Sequence, residues 1–237
     1  MFQLAAATPA EYREHVGIYV WGQLRHTPAG ALQQAAADLK RIGADRVVRV
    51  YIGPGGLWDP ADTSDNSPLD VKVRRPDYRA FLAAFPVVMF TAYDSASYDK
   101  YKKGRLDARQ LAATREEFRR FALELAKTPG RKIISNWEFE NDCGAARWDD
   151  CREYYQARLD GIRQGSAEAR KLGYPGEVRS AFEFTIVPGY VGKQSGLVEV
   201  GARLAGVDYF SYSSWASIGS DYDAPTMAKS MAWGVTY

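Results

Sequence analysis

Apolar segments of strand length alternate six times with segments of helical periodicity, and this alternation constrains the fold of the 237-residue chain more than any other feature. The helical segments place apolar residues three and four positions apart. Such alternation is typical of an α/β fold in which helices cover a parallel sheet. The predicted strands are residues 16–21, 46–52, 87–93, the start of 132–142, 177–186 and 207–213. The predicted helices are residues 28–43, 76–85, 105–127, 149–172, 196–204 and 225–233, and residues 57–75 are predicted to be a long, solvated acidic loop.

An open doubly wound sheet and a closed barrel both fit this order of elements. A dinucleotide-binding fold would carry Gly-x-Gly-x-x-Gly after its first strand, and the chain has neither that motif there nor a P-loop. Polar residues instead lie near the carboxyl ends of several different predicted strands, as they do at the mouth of a (β/α) barrel. We therefore predict a TIM-type (β/α) barrel. A complete barrel takes about 250 residues, so we expect one domain over residues 1–237 that holds about six of the eight units and ends before strand seven.

The overall composition is ordinary for a globular protein and excludes several classes of function. The net charge is only +2, which gives no electrostatic case for binding nucleic acid or an anionic membrane. No apolar run approaches the ~20 residues of a membrane helix. Because His15 and His26 are the only histidines, a multi-histidine metal site is excluded, and no cofactor motif is present. A calcium loop in residues 57–75 is disfavoured by its spacing, whereas a divalent metal site made only of carboxylates stays open.

The two cysteines, Cys143 and Cys151, leave the cellular compartment undecided. A disulfide between them would be typical of an exported protein. Two free thiols in a cytosolic protein are the alternative. Residues 1–10 contain an apolar patch but lack the basic start and the full apolar core of a signal peptide.

The densest group of polar residues lies in 132–142, which reads Lys-Ile-Ile-Ser-Asn-Trp-Glu-Phe-Glu-Asn-Asp. Its apolar start is typical of a buried parallel strand that delivers polar groups to a site at its carboxyl end. Side chains alternate along a strand. If the strand ran through the whole segment, one face would carry Asn136, Glu138, Glu140 and Asp142, and the other would present Ser135, Trp137 and Phe139 to covering helices. The alternative is a solvated strand-to-helix turn, because acidic residues often open helices.

Three places in the chain resemble the clan of (β/α)8-barrel glycoside hydrolases. The second strand reads Val-Val-Arg-Val-Tyr, and many members of the clan carry an arginine there, near the catalytic carboxylates. The fourth strand ends with an asparagine close to glutamates, where the clan keeps its acid/base glutamate. The sixth strand reads Asp-Tyr-Phe-Ser-Tyr-Ser-Ser-Trp, similar to the strand that lines the clan's sugar site. The resemblance implies hydrolysis of a carbohydrate substrate by two carboxyl groups, without a cofactor.

The sequence departs from the clan at the acid/base position. The clan usually has Asn directly before Glu, whereas Trp137 separates Asn136 from Glu138 in this chain. The acid/base assignment therefore lies among Glu138, Glu140 and Asp142. We favour Glu138, because it shares a face with Asn136 at the end of the strand.

The second carboxylate is also uncertain from the sequence, since the clan places its nucleophile on a seventh strand. Glu183, on the fifth predicted strand, is a candidate, and a hydrogen-bonded acid of the barrel interior is the alternative. The catalytic candidates are thus Glu138, Glu140 and Glu183. The candidate substrate-binding residues are Tyr19, Trp21, Arg49, Tyr51, Tyr93, Asn136, Tyr212 and Trp215. Each aromatic residue has core packing as its alternative, and Arg49 and Glu138 have a buried ion pair as theirs.

Two other functions compete with glycoside hydrolysis. The first is a non-catalytic carbohydrate-binding protein with a barrel-like fold. The second is another barrel enzyme, such as an aldolase or isomerase. The latter is weakened because no strand ends in a lysine that could form a Schiff base, and Lys132 opens its strand at the opposite rim.

Overall fold

The computed structural model describes residues 17–20, 30–54, 66–101, 103–185 and 195–213. The strands are β1 Gly17–Val20, β2 Val47–Ile52, β3 Val87–Ala92, β4 Gly130–Ser135, β5 Gly176–Phe184 and β6 Tyr209–Tyr212. The α-helices are α1 Ala31–Arg41, α2 Leu69–Val73, α3 Pro76–Ala84, α4 Tyr98–Tyr101, α5 Ala108–Leu125, α6 Phe139–Asp142, α7 Trp148–Lys171 and α8 Gly196–Glu199. Two 3-10 turns, Ala145–Arg147 and Gly201–Arg203, complete these elements. The predicted helix at 225–233 lies outside the described residues.

The six described strands form one curled, half-barrel sheet whose spatial order follows the chain, β1-β2-β3-β4-β5-β6. Every neighbouring pair is parallel. Right-handed crossovers in an order that never reverses put all connecting helices on the same face of the sheet. A doubly wound sheet requires a reversal of strand order, so this arrangement favours the barrel-like alternative. The α/β class and the parallel sheet predicted from the sequence are confirmed.

Alternation along the strands separates an outer face, which the helices cover, from a concave inner face. Val48, Phe90 and Ile134 are fully buried on the outer face, and the ring of Phe90 meets that of Phe121 on α5 edge to face at 5.5 Å. Their sequence neighbours, such as Arg49, point into the concavity. All the carboxyl ends of the strands meet at one edge, because the strands are parallel.

The helices α5 and α7 approach each other closely through two glycines. A Cβ atom on Gly161 would lie 2.2 Å from the carbonyl oxygen of Arg115, and one on Gly165 would lie 2.2 Å from that of Arg119. The two glycines are four residues apart and therefore lie on the same face of α7. Backbone contact of this kind leaves no room for a side chain at either position.

Two of the predicted elements differ from those observed. The predicted loop at 57–75 is wrong over Leu69–Val73, which forms α2. Leu69 and Val73 are spaced by one helical turn and are both 1% exposed, and Glu117 on α5 accepts the backbone N–H of Leu69 at 3.0 Å. Asp70 is accordingly buried rather than solvated, and it pairs with Arg74. The predicted helix at 196–204 is divided between α8 and the second 3-10 turn.

None of the helices in the described part of the chain is long and apolar enough to cross a membrane.

Replacing Gly161 by alanine should destabilise the protein, because the added methyl group must displace the backbone of α5. Overpacking costs about 1–3 kcal/mol and should outweigh the gain in helix propensity of about 1 kcal/mol. Urea unfolding measures the change in the free energy of unfolding. Gly104→Ala is the matched control, because a Cβ there meets no atom within 4 Å. Equal stabilities of the two variants would contradict the close approach of α5 and α7.

Candidate functional site

An ion pair between Arg49 and Glu183 crosses the concave face of the sheet. Arg49 Nη1 lies 2.5 Å from Glu183 Oε2, and the glutamate side chain is only 1% exposed. Arg49 belongs to β2 and Glu183 to β5, and strands three apart in a flat sheet are separated by about 14 Å. The two side chains meet because the sheet curves toward its inner face. The buried ion pair that the sequence allowed for Arg49 therefore forms with Glu183 and not with Glu138.

The guanidinium of Arg49 is held by groups from β1 and β3 and by the residue directly after β4. Its Nε donates to Thr91 Oγ1 at 2.9 Å, and its Nη2 donates to the carbonyl oxygen of Asn136 at 3.3 Å. Its Cζ also lies 4.6 Å from the ring centroid of Tyr19. Burial raises the pKa of the Tyr19 hydroxyl, against a hydrogen bond with Thr91 and the charge of Arg49, which both lower it. Arg49 is thus oriented by contacts within the protein, in addition to its ion pair with Glu183.

Asn136 ties the backbone of β5 to the end of β4. Its Nδ2 donates to the carbonyl oxygen of Glu183 at 2.8 Å, and its Oδ1 accepts the N–H of Glu183 at 2.9 Å. This pair of bonds continues the β4–β5 pairing beyond Ser135 with a side chain in place of a strand residue. Asn136 is only 1% exposed, so its amide positions Glu183 from within the protein.

The Glu183 carboxylate receives an additional hydrogen bond from Ser211 on β6, whose Oγ donates to Oε2 at 3.3 Å. Burial raises the pKa of Glu183, the charge of Arg49 opposes that rise, and the nearby Glu138 adds to it. Since the charge of Glu138 acts on the pKa of Glu183, the two glutamates are close neighbours at the carboxyl edge of the sheet.

Glu138 lies three residues beyond β4 and is 4% exposed. Its Oε1 accepts from the hydroxyl of Ser213 at 2.6 Å, and its Oε2 accepts from the side-chain amide of Asn141. Both of these donors are neutral. Two neighbouring carboxyl groups, Glu138 and Glu183, therefore have different partners: a hydroxyl and an amide for one, a guanidinium for the other.

The prediction that Asn136, Glu138, Glu140 and Asp142 share one strand face is wrong, because the strand ends at Ser135 and the chain turns into α6. The backbone N–H groups of Asn141 and Asp142 both donate to the carbonyl oxygen of Glu138, which closes a helical turn. Residues two apart on a helix do not face each other. The acidic residues consequently point to different places, and the strand-to-helix alternative describes the turn correctly, although its glutamate and aspartate side chains are largely buried rather than solvated.

Glu140 joins two other segments of the backbone. Its Oε2 accepts the N–H of Thr185, directly after β5, at 2.8 Å, and its Oε1 accepts the N–H of Gly196, the first residue of α8, at 2.8 Å. A carboxylate with an N–H on each oxygen clamps the end of β5 to the start of α8. The sequence suggested Glu140 as a catalytic candidate and gave no sign that its carboxylate binds these two backbone N–H groups.

Asp142 occupies a buried polar cluster on the helix side of the site. It accepts from the hydroxyl of Tyr93, and the hydroxyl of Tyr155 lies 3.5 Å from its Oδ2. Burial raises the pKa of Asp142 to about 7, and the nearby Arg158 acts in the opposite direction. Tyr93 also accepts the backbone N–H of Trp137 at 3.0 Å. The Tyr93 hydroxyl therefore links Asp142 to the backbone of the segment that carries Glu138.

Arg158, on α7, is a residue of this region that sequence reasoning missed. It is 3% exposed and donates to the carbonyl oxygens of Ala92 and Ser135, where β3 and β4 end, at 2.9 and 3.0 Å. Aromatic rings surround its guanidinium, including that of Phe118 at 4.8 Å. The sequence did contain an indication of this buried arginine. Arg158 lies four residues from Tyr154 and therefore falls within the apolar stripe of α7, where a charged residue is unusual.

The remaining predicted site residues are dispersed. Tyr51 is 6% exposed, and its ring centroid lies 6.0 Å from that of Tyr93. Tyr212 stacks on Phe184 at 5.4 Å. Since Glu183 pairs in register with Ser211 and Phe184 with Tyr212, Tyr212 lies on the opposite face of the sheet from Glu183. Trp21 and Trp215 lie outside the described residues.

A disulfide joins Cys143 to Cys151, which resolves the alternative between a disulfide and free thiols. It connects the end of α6 to the first turn of α7. Both cysteines are buried, at 3% and 0% exposure, and the bond ties the end of the turn that carries Glu138 and Asp142 to α7.

In the described ranges of the chain, no group of three or more His, Cys, Asp or Glu residues is arranged to hold a metal ion. A scan against models of protein families, a search of curated proteins and a search of solved structures each found no match to this chain.

Replacing Asp142 by asparagine should change the pH dependence of stability. The pKa of this group is about 7 in the folded protein and ordinarily 3.8, so between those values the unfolded chain releases a proton that the folded chain keeps. The wild type therefore loses stability from this group as the pH rises from about 4 to about 7, and Asp142→Asn lacks that loss. Over this pH range, the free energy of unfolding of the variant should rise relative to that of the wild type by an amount on the order of a few kcal/mol.

Chemical denaturation at a series of pH values measures this difference. The matched control is Asp149→Asn on α7, because that carboxylate is 87% exposed. Parallel pH profiles for the wild type and Asp142→Asn would show that Asp142 ionises normally.

Proposed function

We propose that this chain carries a glycoside hydrolase-like site, in which two carboxyl groups hydrolyse a carbohydrate by acid/base chemistry on a TIM-type barrel. The observation that carries the proposal is the pair Glu138 and Glu183. They lie at the carboxyl edge of adjacent parallel strands, and they have partners of different charge. Glycoside hydrolysis in most families requires two carboxyl groups with distinct roles.

The partners divide the two roles. Arg49 favours the charged form of Glu183 and fixes its orientation. A carboxylate so held can oppose the positive charge that develops at the anomeric carbon in an oxocarbenium-like transition state. Glu138 is held by Ser213 and Asn141, which carry no charge, so in this proposal it takes the role of the acid.

In the proposed reaction, Glu138 donates its proton to the glycosidic oxygen as the bond to the anomeric carbon breaks. Water then adds to that carbon, and the proton it releases returns to a carboxylate of the pair. Asn136 keeps Glu183 in place throughout, because it binds both backbone groups of that residue. Tyr19, which is partly exposed beside Arg49, is a stacking surface for a sugar ring in this proposal.

A non-catalytic carbohydrate-binding protein is the second candidate. The observation in its favour is the closed state of the ion pair, since Glu183 is only 1% exposed and is already engaged by Arg49. A site that only binds sugars would keep such a pair as fixed scaffolding and use the partly exposed Tyr19 for contact.

Glu138→Gln should abolish proton donation while keeping the size of the side chain. We expect hydrolysis of alkyl glycosides and oligosaccharides to fall by 10²–10⁴-fold. Aryl glycosides with an acidic phenol as leaving group should lose much less, because they need no protonation. Kinetics on a panel of both substrate types measures the difference. Glu177→Gln is the matched control, because Glu177 is a partly exposed, ion-paired glutamate at the opposite end of β5.

Equal losses for good and poor leaving groups in Glu138→Gln would rule out Glu138 as the acid. Sugar binding by calorimetry without any turnover by the wild type would support the second candidate instead.

Glu183→Gln should slow all substrates regardless of their leaving group, because the charge that opposes the oxocarbenium ion is removed. The variant should also be less stable, since removing one partner of a buried ion pair costs about 3–5 kcal/mol. Because glutamine can still hydrogen-bond to Arg49, we expect a loss near the lower end of that range. Leaving-group dependence and urea unfolding are measured on the same preparation. A loss of activity confined to substrates with poor leaving groups would indicate that Glu183 is the acid and Glu138 the carboxylate that opposes the oxocarbenium charge.

A further inference from the structure

We propose that Tyr93 and Asp142 form a latch, defined by the contact of their side chains, that fixes the Trp137 peptide and through it positions Glu138. The inference rests on the proposed function, in which Glu138 is the acid. Tyr93 and Asp142 are positioning residues in this proposal, since they act through the backbone and not on the substrate.

The Tyr93 hydroxyl is the centre of the latch. It donates to Asp142 and accepts the backbone N–H of Trp137 at 3.0 Å. A phenolic hydroxyl has one proton and accepts through its lone pairs. Donation to Asp142 turns that proton away from Trp137 and leaves a lone pair to receive its N–H. Tyr93 is 1% exposed, so water does not readily replace either bond.

The other side of the same peptide segment is held as well. The carbonyl oxygen of Trp137 accepts from Asn136 Nδ2 at 2.6 Å. Both backbone groups of Trp137 are therefore engaged, and the next residue is Glu138. The backbone N–H of Asp142 donates to the carbonyl oxygen of Glu138 at 3.1 Å, so contacts run in a closed ring through Tyr93, Asp142, Glu138 and Trp137.

Charged and titratable groups from each neighbouring element face Asp142. Tyr93 approaches from the end of β3, Tyr155 and Arg158 from α7, and Glu183 from β5. Glu138 precedes it on the same turn. Because burial raises the pKa of Asp142 to about 7, ionisation above neutral pH favours an open, hydrated carboxylate. The latch should therefore hold the Trp137 peptide less tightly above neutral pH than below it.

The latch explains why Tyr93, which the sequence suggested as a sugar contact, is buried. Its ring lies beneath the guanidinium of Arg158, 5.5 Å from Cζ, and its hydroxyl serves two protein groups. The same geometry gives Asp142 a task other than proton transfer to a substrate.

Tyr93→Phe tests the latch, because it removes the hydroxyl and keeps the ring. The matched control is Tyr154→Phe, which removes another buried hydroxyl that donates to a buried aspartate, Asp94, at 2.8 Å. Amide hydrogen exchange of Trp137, followed by NMR, should accelerate about tenfold in Tyr93→Phe and stay within about twofold of the wild type in Tyr154→Phe. In the wild type, the protection factor of this amide should decrease from pH 6 to pH 8, and Asp142→Asn should flatten that decrease.

Kinetics then tests the positioning of Glu138. With the glycoside that the wild type turns over best, Tyr93→Phe should lower kcat by about 10-fold or more and leave KM little changed. Aryl glycosides with good leaving groups should be affected less, as they are in Glu138→Gln. A purely structural loss would instead follow the lower stability of the variant and would appear in Tyr154→Phe as well.

The outcomes separate the two proposals. Unchanged exchange of the Trp137 amide in Tyr93→Phe overturns the latch, whatever the activity. Faster exchange with an unaltered kcat overturns its role in positioning Glu138. If the wild type hydrolyses no glycoside, the proposed function and the catalytic role of the latch both fail, whereas the exchange data still decide whether the Tyr93–Asp142 contact holds the peptide.

Discussion

The fixed handedness of the crossovers is the constraint on which the rest of the structure depends. Because each connection between the six described strands is made in the same direction and the strand order never reverses, the helices collect on one face and the other face becomes concave. Curvature then brings side chains from strands three apart into contact, which a flat sheet would keep separate. The pairing of Arg49 with Glu183 is a direct consequence of that geometry.

The site at the carboxyl edge is organised in two layers. Toward the concavity, a guanidinium holds one carboxylate and neutral groups hold the other. Behind them, Tyr93, Asp142 and Arg158 link the ends of β3 and β4 to α7. The second layer carries strong desolvation costs, since a buried carboxyl and a buried guanidinium are both removed from water.

Much of the fold followed from local patterns. Strand and helix positions were predictable because periodicities of 2 and 3.6 are properties of short segments. The short helix α2 was missed, since only two buried apolar residues one turn apart mark it. In the site, the predicted position of Glu138, Glu183, Arg49 and Asn136 at one edge required only that strands be parallel. The orientation of Glu140 and Asp142 could not be predicted, because it depends on the residue at which the strand ends and the turn begins.

By itself, the sequence determined the alternation of strands and helices, the parallel sheet and the concentration of polar groups near the carboxyl ends of β2, β4 and β5. These features arise from apolar spacing and turn residues, which act over a few positions. Only the tertiary structure decided that Arg49 pairs with Glu183 rather than Glu138, that Glu140 clamps the backbone of Thr185 and Gly196, and that Asp142 is buried beside Tyr93. Those outcomes depend on the curvature of the sheet and on contacts between residues 45 to 134 positions apart, because a charged group finds its partner by distance in space and not along the chain.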